Sequence, residues 1–112
     1  MDKSLLSGSM AMLLLQLLSE KDRYGYEMIE ALRQRSQNVF ELKAGTLYPL
    51  LHSLEDKGCL DSYERESGGK LRKYYHLTRE GERCLRQKKD EWDVYTKAVT
   101  KVMTLERGGG IG

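Results

Sequence analysis

Little in this chain could carry out chemistry. Its two cysteines, Cys59 and Cys84, form no Cys-x-x-Cys pair, and with His52 and His76 they make no zinc-ligand spacing, so no metal site is expected. They read as buried free thiols in a reducing compartment. No phosphate-binding loop or dinucleotide fingerprint occurs, and no cofactor is expected. The tetrapeptide "SGGK" matches Ser-x-x-Lys in form. However, Ser67 and Lys70 fall on a turn rather than on one helical face in a shielded pocket, and no Ser-Asp-Asn or Lys-Thr-Gly follows. The histidines lack the partners that mark a catalytic base. An enzyme is therefore not expected. A long apolar run is also missing: "MAMLLLQLL" at 10–18 is too short to cross a bilayer, Asp2 offsets Lys3, and no small-x-small cleavage site follows. The reading is a buried helix of a cytoplasmic protein with no membrane partner.

What remains suits one globular domain: 112 residues, 32% charged and 39% apolar. The net charge of +2 hides an asymmetry. Residues 65–89 hold nine Lys/Arg against three acids, which makes that segment +6 and the rest −4. Leu5–Ser19 has apolar residues on nearly every side, and such a helix needs a second cover, often a partner subunit. "DRYGYEMIEALRQRS" at 22–36 reads as a second helix, with Asp22 as N-cap and Gly25, Met28, Ile29 and Leu32 on its apolar face. "NVFEL" at 38–42 is a short strand or an extended link. In "AGTLYPLLHSLEDKG", Leu47, Leu50, Leu51 and Leu54 make the stripe of a third helix, and Gly58 suits its left-handed end. Pro49 falls early enough for a first turn to hold it.

After Gly58 the period becomes two. "LDSYERE" and "LRKYYHLT" fit strands, with "SGGK" as the hairpin tip. Thr78 then caps a long helix reaching about Leu105, and 106–112 reads as a flexible tail. The expected class is mostly α with a small β-hairpin: a winged helix-turn-helix over 1–78 followed by a dimerisation helix over 79–105. In that fold the third helix enters the major groove and the hairpin becomes a wing beside it. Opposite the leucines lie Thr46, Tyr48, Pro49, His52 and Ser53, which can approach base edges and phosphates without bulk. Arg and Asn, the commonest base readers, are absent from that face. Lys70, Arg72 and Lys73 would supply phosphate contacts from the wing. The partners expected are double-stranded DNA and a second copy of the chain. The dimer face would draw on Leu13 and Leu17 from the first helix and on Leu85, Trp92, Tyr95, Val99 and Val102 from the last. A winged-helix module that binds protein and not DNA is the alternative, and the +6 segment argues against it.

"YGYEM", "GTLYPLLHSLEDKG" and "RKYYHLTREG" stand in an order and spacing that resemble the PadR family of bacterial transcription regulators, over residues 5 to about 85. The resemblance implies a winged-helix homodimer that represses genes and releases DNA when a small, often aromatic compound binds. A single helix after the wing looks like the shorter branch of that family. By position, Tyr24, Thr46, Tyr48 and His52 would face DNA, and Lys70, Arg72 and Lys73 would form the wing contacts. Trp92, the only tryptophan, is first a packing residue. Duplicated across a two-fold axis, it could also sandwich a flat apolar effector.

Overall fold

The computed structural model describes residues 3–104, with backbone alone over 3–8. In chain order the elements are α1 (Lys3–Glu20), β1 (Arg23–Tyr24), α2 (Gly25–Arg35), α3 (Ala44–Asp56), β2 (Leu60–Ser67), β3 (Lys70–Leu77) and α4 (Arg79–Met103). This is the expected mostly helical fold with a small antiparallel sheet. Among the described residues no helix is long and apolar enough to cross a membrane.

Leucine, methionine and alanine are good helix formers, and on α1 they leave almost no polar stripe. Met10, Leu14, Leu15, Leu17 and Leu18 are all buried as a result. Met28 and Leu32 of α2 and Leu47, Leu51 and Leu54 of α3 complete the centre of the core. On α2 and α3 the apolar spacing thus predicts the buried face.

The link after α2 contains no strand. Gln37 and Asn38 take left-handed φ values of 53° and 69°, and the Asn38 N–H donates to the Arg33 carbonyl at 2.8 Å. The Phe40 N–H donates to Ser36 Oγ at 2.8 Å, so these backbone groups close the helix end instead of entering a ladder. Only the extended-link half of the expectation for 38–42 survives.

The end of α3 follows the sequence closely. Gly58 has φ +79°; its N–H donates to the Glu55 carbonyl, and the Cys59 N–H to the Leu54 carbonyl, both at 2.9 Å. Two orphan carbonyls are satisfied in a Schellman turn, with Cys59 packed into the core beside Leu54. Pro49 lies inside α3. Its missing N–H leaves the Gly45 carbonyl without a helical donor, and Gly45 is exposed, so water can replace it.

The sheet order is β1-β3-β2, all antiparallel. Ser67 pairs with Lys70 across Gly68 and Gly69, whose φ values of +61° and +79° permit a two-residue turn. Strand β1 corrects the sequence reading. Arg23 and Tyr24 pair with Tyr75 and Tyr74, so Tyr24 and not Asp22 stands at the start of α2. The Tyr24 N–H donates to Glu27 Oε1 at 3.1 Å. Asp22 instead accepts from Tyr63 Oη at 2.6 Å and lies 2.8 Å from His76 Nδ1, which ties the α1–α2 turn to the hairpin.

Thr78 caps α4 as expected, its hydroxyl accepting from the Gly81 N–H at 3.0 Å. Gly81 is needed there, because a Cβ would overlap the Cys59 carbonyl and Leu77. Beyond Leu85 the helix leaves the body of the domain and gives the molecule its longest extent of 64 Å. Leu17 and Leu85, expected at a dimer face, are 2% and 6% exposed and lie in the core of the chain itself. Leu105 and the expected tail at 106–112 lie outside the described residues.

Candidate nucleic-acid interface

The leucine stripe of α3 turns its opposite side outward. Thr46, Tyr48, Pro49, His52 and Ser53 are all exposed, on a helix clamped to the core by Leu47, Leu51 and Leu54. Tyr48 folds back, so that a Cβ on Gly25 would overlap its Oη. The glycine opening α2 therefore lets the tyrosine hydroxyl rest against the start of that helix, where unpaired N–H groups favour an anion.

Ladder register decides what the wing presents. Three tyrosines stand in one row across the sheet, since Tyr74 is opposite both Tyr24 and Tyr63. Tyr74 meets Tyr24 edge-on at 5.3 Å and stacks on Tyr63 at 5.8 Å. Although it points away from the core, Tyr74 is only 2% exposed. Two residue pairs further out, on the same face, Arg65 and Arg72 are opposite each other. Like charges directly opposite on a sheet repel. The arginines lie over the tyrosine rings instead: Arg65 is 4.0 Å from the Tyr74 ring centre and Arg72 4.5 Å from that of Tyr24. Arg72 Nε also donates to the Ser67 carbonyl at 3.2 Å. Among the described residues neither guanidinium has a carboxylate within ion-pair distance.

The three expected wing cations are thereby divided. Lys70 and Arg72 share the tyrosine face, while Lys73 is on the other, directly opposite Glu64. That second face is the one toward α3, where Ser62 Oγ donates to Glu55 Oε2 at 2.6 Å. Tyr24, placed by the resemblance at the DNA surface, is half-buried under Arg72. Sequence reasoning misses Arg65, although the signal is there: a two-residue Gly-Gly turn sets Ser67 against Lys70, and counting back sets Arg65 against Arg72.

Charge at the wing base is fixed by hydrogen bonds. Burial alone would raise the Asp22 carboxyl, but donation by Tyr63 and His76 outweighs it and holds the group below its ordinary value. Tyr63 responds in the opposite sense, its phenol raised by the bond to Asp22. The distal half of the hairpin, 64–73, is mostly exposed and extends about 13 Å past the tyrosine row at the usual rise per residue. Among the described residues no group of three His, Cys, Asp or Glu is placed to hold a metal ion. Trp92, Tyr95, Val99 and Val102 are exposed on the free length of α4, with the Trp92 and Tyr95 rings 6.1 Å apart.

A family profile, the transcriptional regulator PadR-like family, matches residues 14–87. A transcriptional regulator from Clostridium thermocellum has a similar structure, with TM-score 0.84 and 34% identity over 90% of this chain and 99% of that one. A PadR family transcriptional regulator from Eggerthella lenta gives TM-score 0.80 and 37% identity, covering 92% and 88% of the two chains. An uncharacterized protein from Lysinibacillus sphaericus is 38% identical over 89 residues, 79% of this chain and 82% of that protein.

Proposed function

The chain belongs to the PadR-like family of transcriptional regulators, and from that premise we propose that it is a homodimeric repressor that holds a palindromic operator and releases it when a small aromatic compound binds. Members of the family are DNA-binding regulators and not enzymes. Ser67 and Lys70 are opposite each other across the hairpin tip. The observation that carries the finer reading is the exposed stripe on α4. Trp92 at 45% exposed, Tyr95 at 59%, Val99 at 41% and Val102 at 84% project from a helix that has left its own core. Apolar side chains repeating along an isolated helix call for a second helix. The two-fold partner of the same chain supplies one, and half-buried Leu13 on α1 joins the interface in this reading.

In this reading residues 1–78 bind DNA and 79–105 join the subunits. Thr46, Tyr48, Pro49, His52 and Ser53 meet the major groove, and Tyr24 supports the wing from beneath. Lys70, Arg72 and Lys73, joined by Arg65, meet phosphates. Trp92 and its symmetry mate flank the effector, and the protein works in the cytoplasm beside the DNA. Sedimentation of the full chain at micromolar concentration, together with footprinting on its own upstream region, tests this. A dimer protecting two half-sites about one helical turn, ~34 Å, apart is expected. A folded monomer leaving a single protected site overturns it.

A further inference from the structure

Cys59 and Cys84 take no part in the surfaces described above. Cys59 stands where α3 ends and the wing begins, its carbonyl accepting the Thr78 N–H at 3.1 Å and its side chain only 4% exposed. Cys84 reaches the same place from α4. Gly81 presses so closely on the Cys59 carbonyl that no Cβ fits between them. Cys84 follows three residues later on the same helical face, half-buried against the core cluster that contains Cys59. The thiols are neighbours: burial first, then the adjoining Cys84 sulfur, pushes the Cys59 thiol up. Both are free. Two free thiols thus meet at one joint held by the backbone, Cys84 half-buried and Cys59 buried. An attacking cysteine needs access, and a resolving cysteine needs only proximity.

We propose that Cys84 and Cys59 form an oxidation site for a peroxide, which closes an intrachain disulfide between the end of α3 and α4. The Cys84 thiolate attacks one peroxide oxygen, the O–O bond breaks, and hydroxide leaves a sulfenic acid on Cys84. The Cys59 sulfur then attacks the Cys84 sulfur, the S–O bond breaks, and the hydroxyl departs as water with the Cys59 proton. Each sulfur loses one electron and the two peroxide oxygens gain one each. The bond encloses the whole wing in a covalent loop and fixes the joint between α3 and α4. It restricts the unfolded chain.

The test treats the reduced full-length chain with hydrogen peroxide, followed by intact mass, thiol counting and melting. Both thiols are expected to disappear together with loss of the mass of two hydrogens, in a product that stays a single chain on a non-reducing gel. The product should melt at least about 5 °C higher and revert with dithiothreitol. In Cys84→Ser, Cys59 should stay reduced while the chain is folded. In Cys59→Ala, dimedone should trap a sulfenic acid on Cys84. Added oxygen on one cysteine with the other thiol intact, cross-linked chains, or inertness of the folded wild type would overturn the proposal. Cys59→Ala opens a small cavity, so Cys84→Ser decides if that variant fails to fold: Cys59 reacting there at the wild-type rate sinks the idea.

Discussion

At the scale of single residues, the wing shows how register sorts charges that composition only counts. Arg65 and Arg72 are stacked on tyrosines with no acidic partner, whereas Lys73 stands opposite Glu64. If both arginines meet phosphate, replacing the two by Ala should lower affinity for every DNA sequence. The log–log salt slope should shrink by roughly 0.9 for each phosphate no longer neutralised. Lys73→Ala should change the slope less, because Lys73 is on the opposite face of the wing from the arginines, its Nζ over the Tyr75 ring. Salt titrations on operator and scrambled DNA check this, and an unchanged slope in the double mutant would remove the wing from the interface. Gly25 gives a second prediction. A Cβ there meets Tyr48 Oη first, so Gly25→Ala should destabilise by about 1–3 kcal/mol, as overpacking does. Tyr48→Phe should relieve part of that cost, and a thermal double-mutant cycle on the two positions measures the coupling. The tyrosine row itself was only half legible. Tyr63 and Tyr74 lie on strands that the sequence shows, but Tyr24 joins them through β1, a two-residue strand with no pattern of its own.

Among the elements, the joint between α1 and α2 depends on a charge cluster. Arg35 of α2 donates to Glu20 with both ends of its guanidinium, Nη1 at 2.8 Å, and Arg23 donates to the same carboxylate at 3.0 Å. The Arg35 hydrogen bond is the main reason the Glu20 carboxyl falls to about 2. A carboxylate depressed in the folded state favours folding fully above its ordinary value, and that contribution is lost as pH falls toward the depressed one. Stability should therefore drop between pH 4.5 and 2 in the wild type. Glu20→Gln should drop less across the same window, as urea unfolding at several pH values would show. Equal slopes would mean that the cluster is solvated. Nothing in the spacing of Glu20 and Arg35, 15 residues apart, announces the pair. It exists because Gln37 and Asn38 end α2 where they do and α1 packs beside it.

Over the whole molecule, the free length of α4 is the feature without an internal explanation. Its exposed aromatic and β-branched side chains should be covered in the proposed dimer. Trp92→Ala should then weaken self-association, and a planar aromatic effector should quench the emission of the single indole. Sedimentation and fluorescence separate the roles. Quenching without DNA release, or a variant that only unfolds, leaves Trp92 as packing alone.

The sequence by itself determined the helices, the end of α3, the cap of α4 and the hairpin, because these depend on signals a few residues apart: leucines at helical spacing, Thr78 before Gly81, Gly58 after α3, paired glycines at the tip. Tertiary structure alone decided which apolar residues the subunit would keep. Leu17 and Leu85 satisfy the same local pattern as Val99, yet they lie in the core while Val99 remains exposed, since burial depends on where α4 departs from the body. Strand β1, the Asp22 tie to Tyr63 and His76, and the close approach of Gly81 to Cys59 likewise join residues far apart in the chain. Such pairings arise only once packing has brought them together, and no local period encodes them.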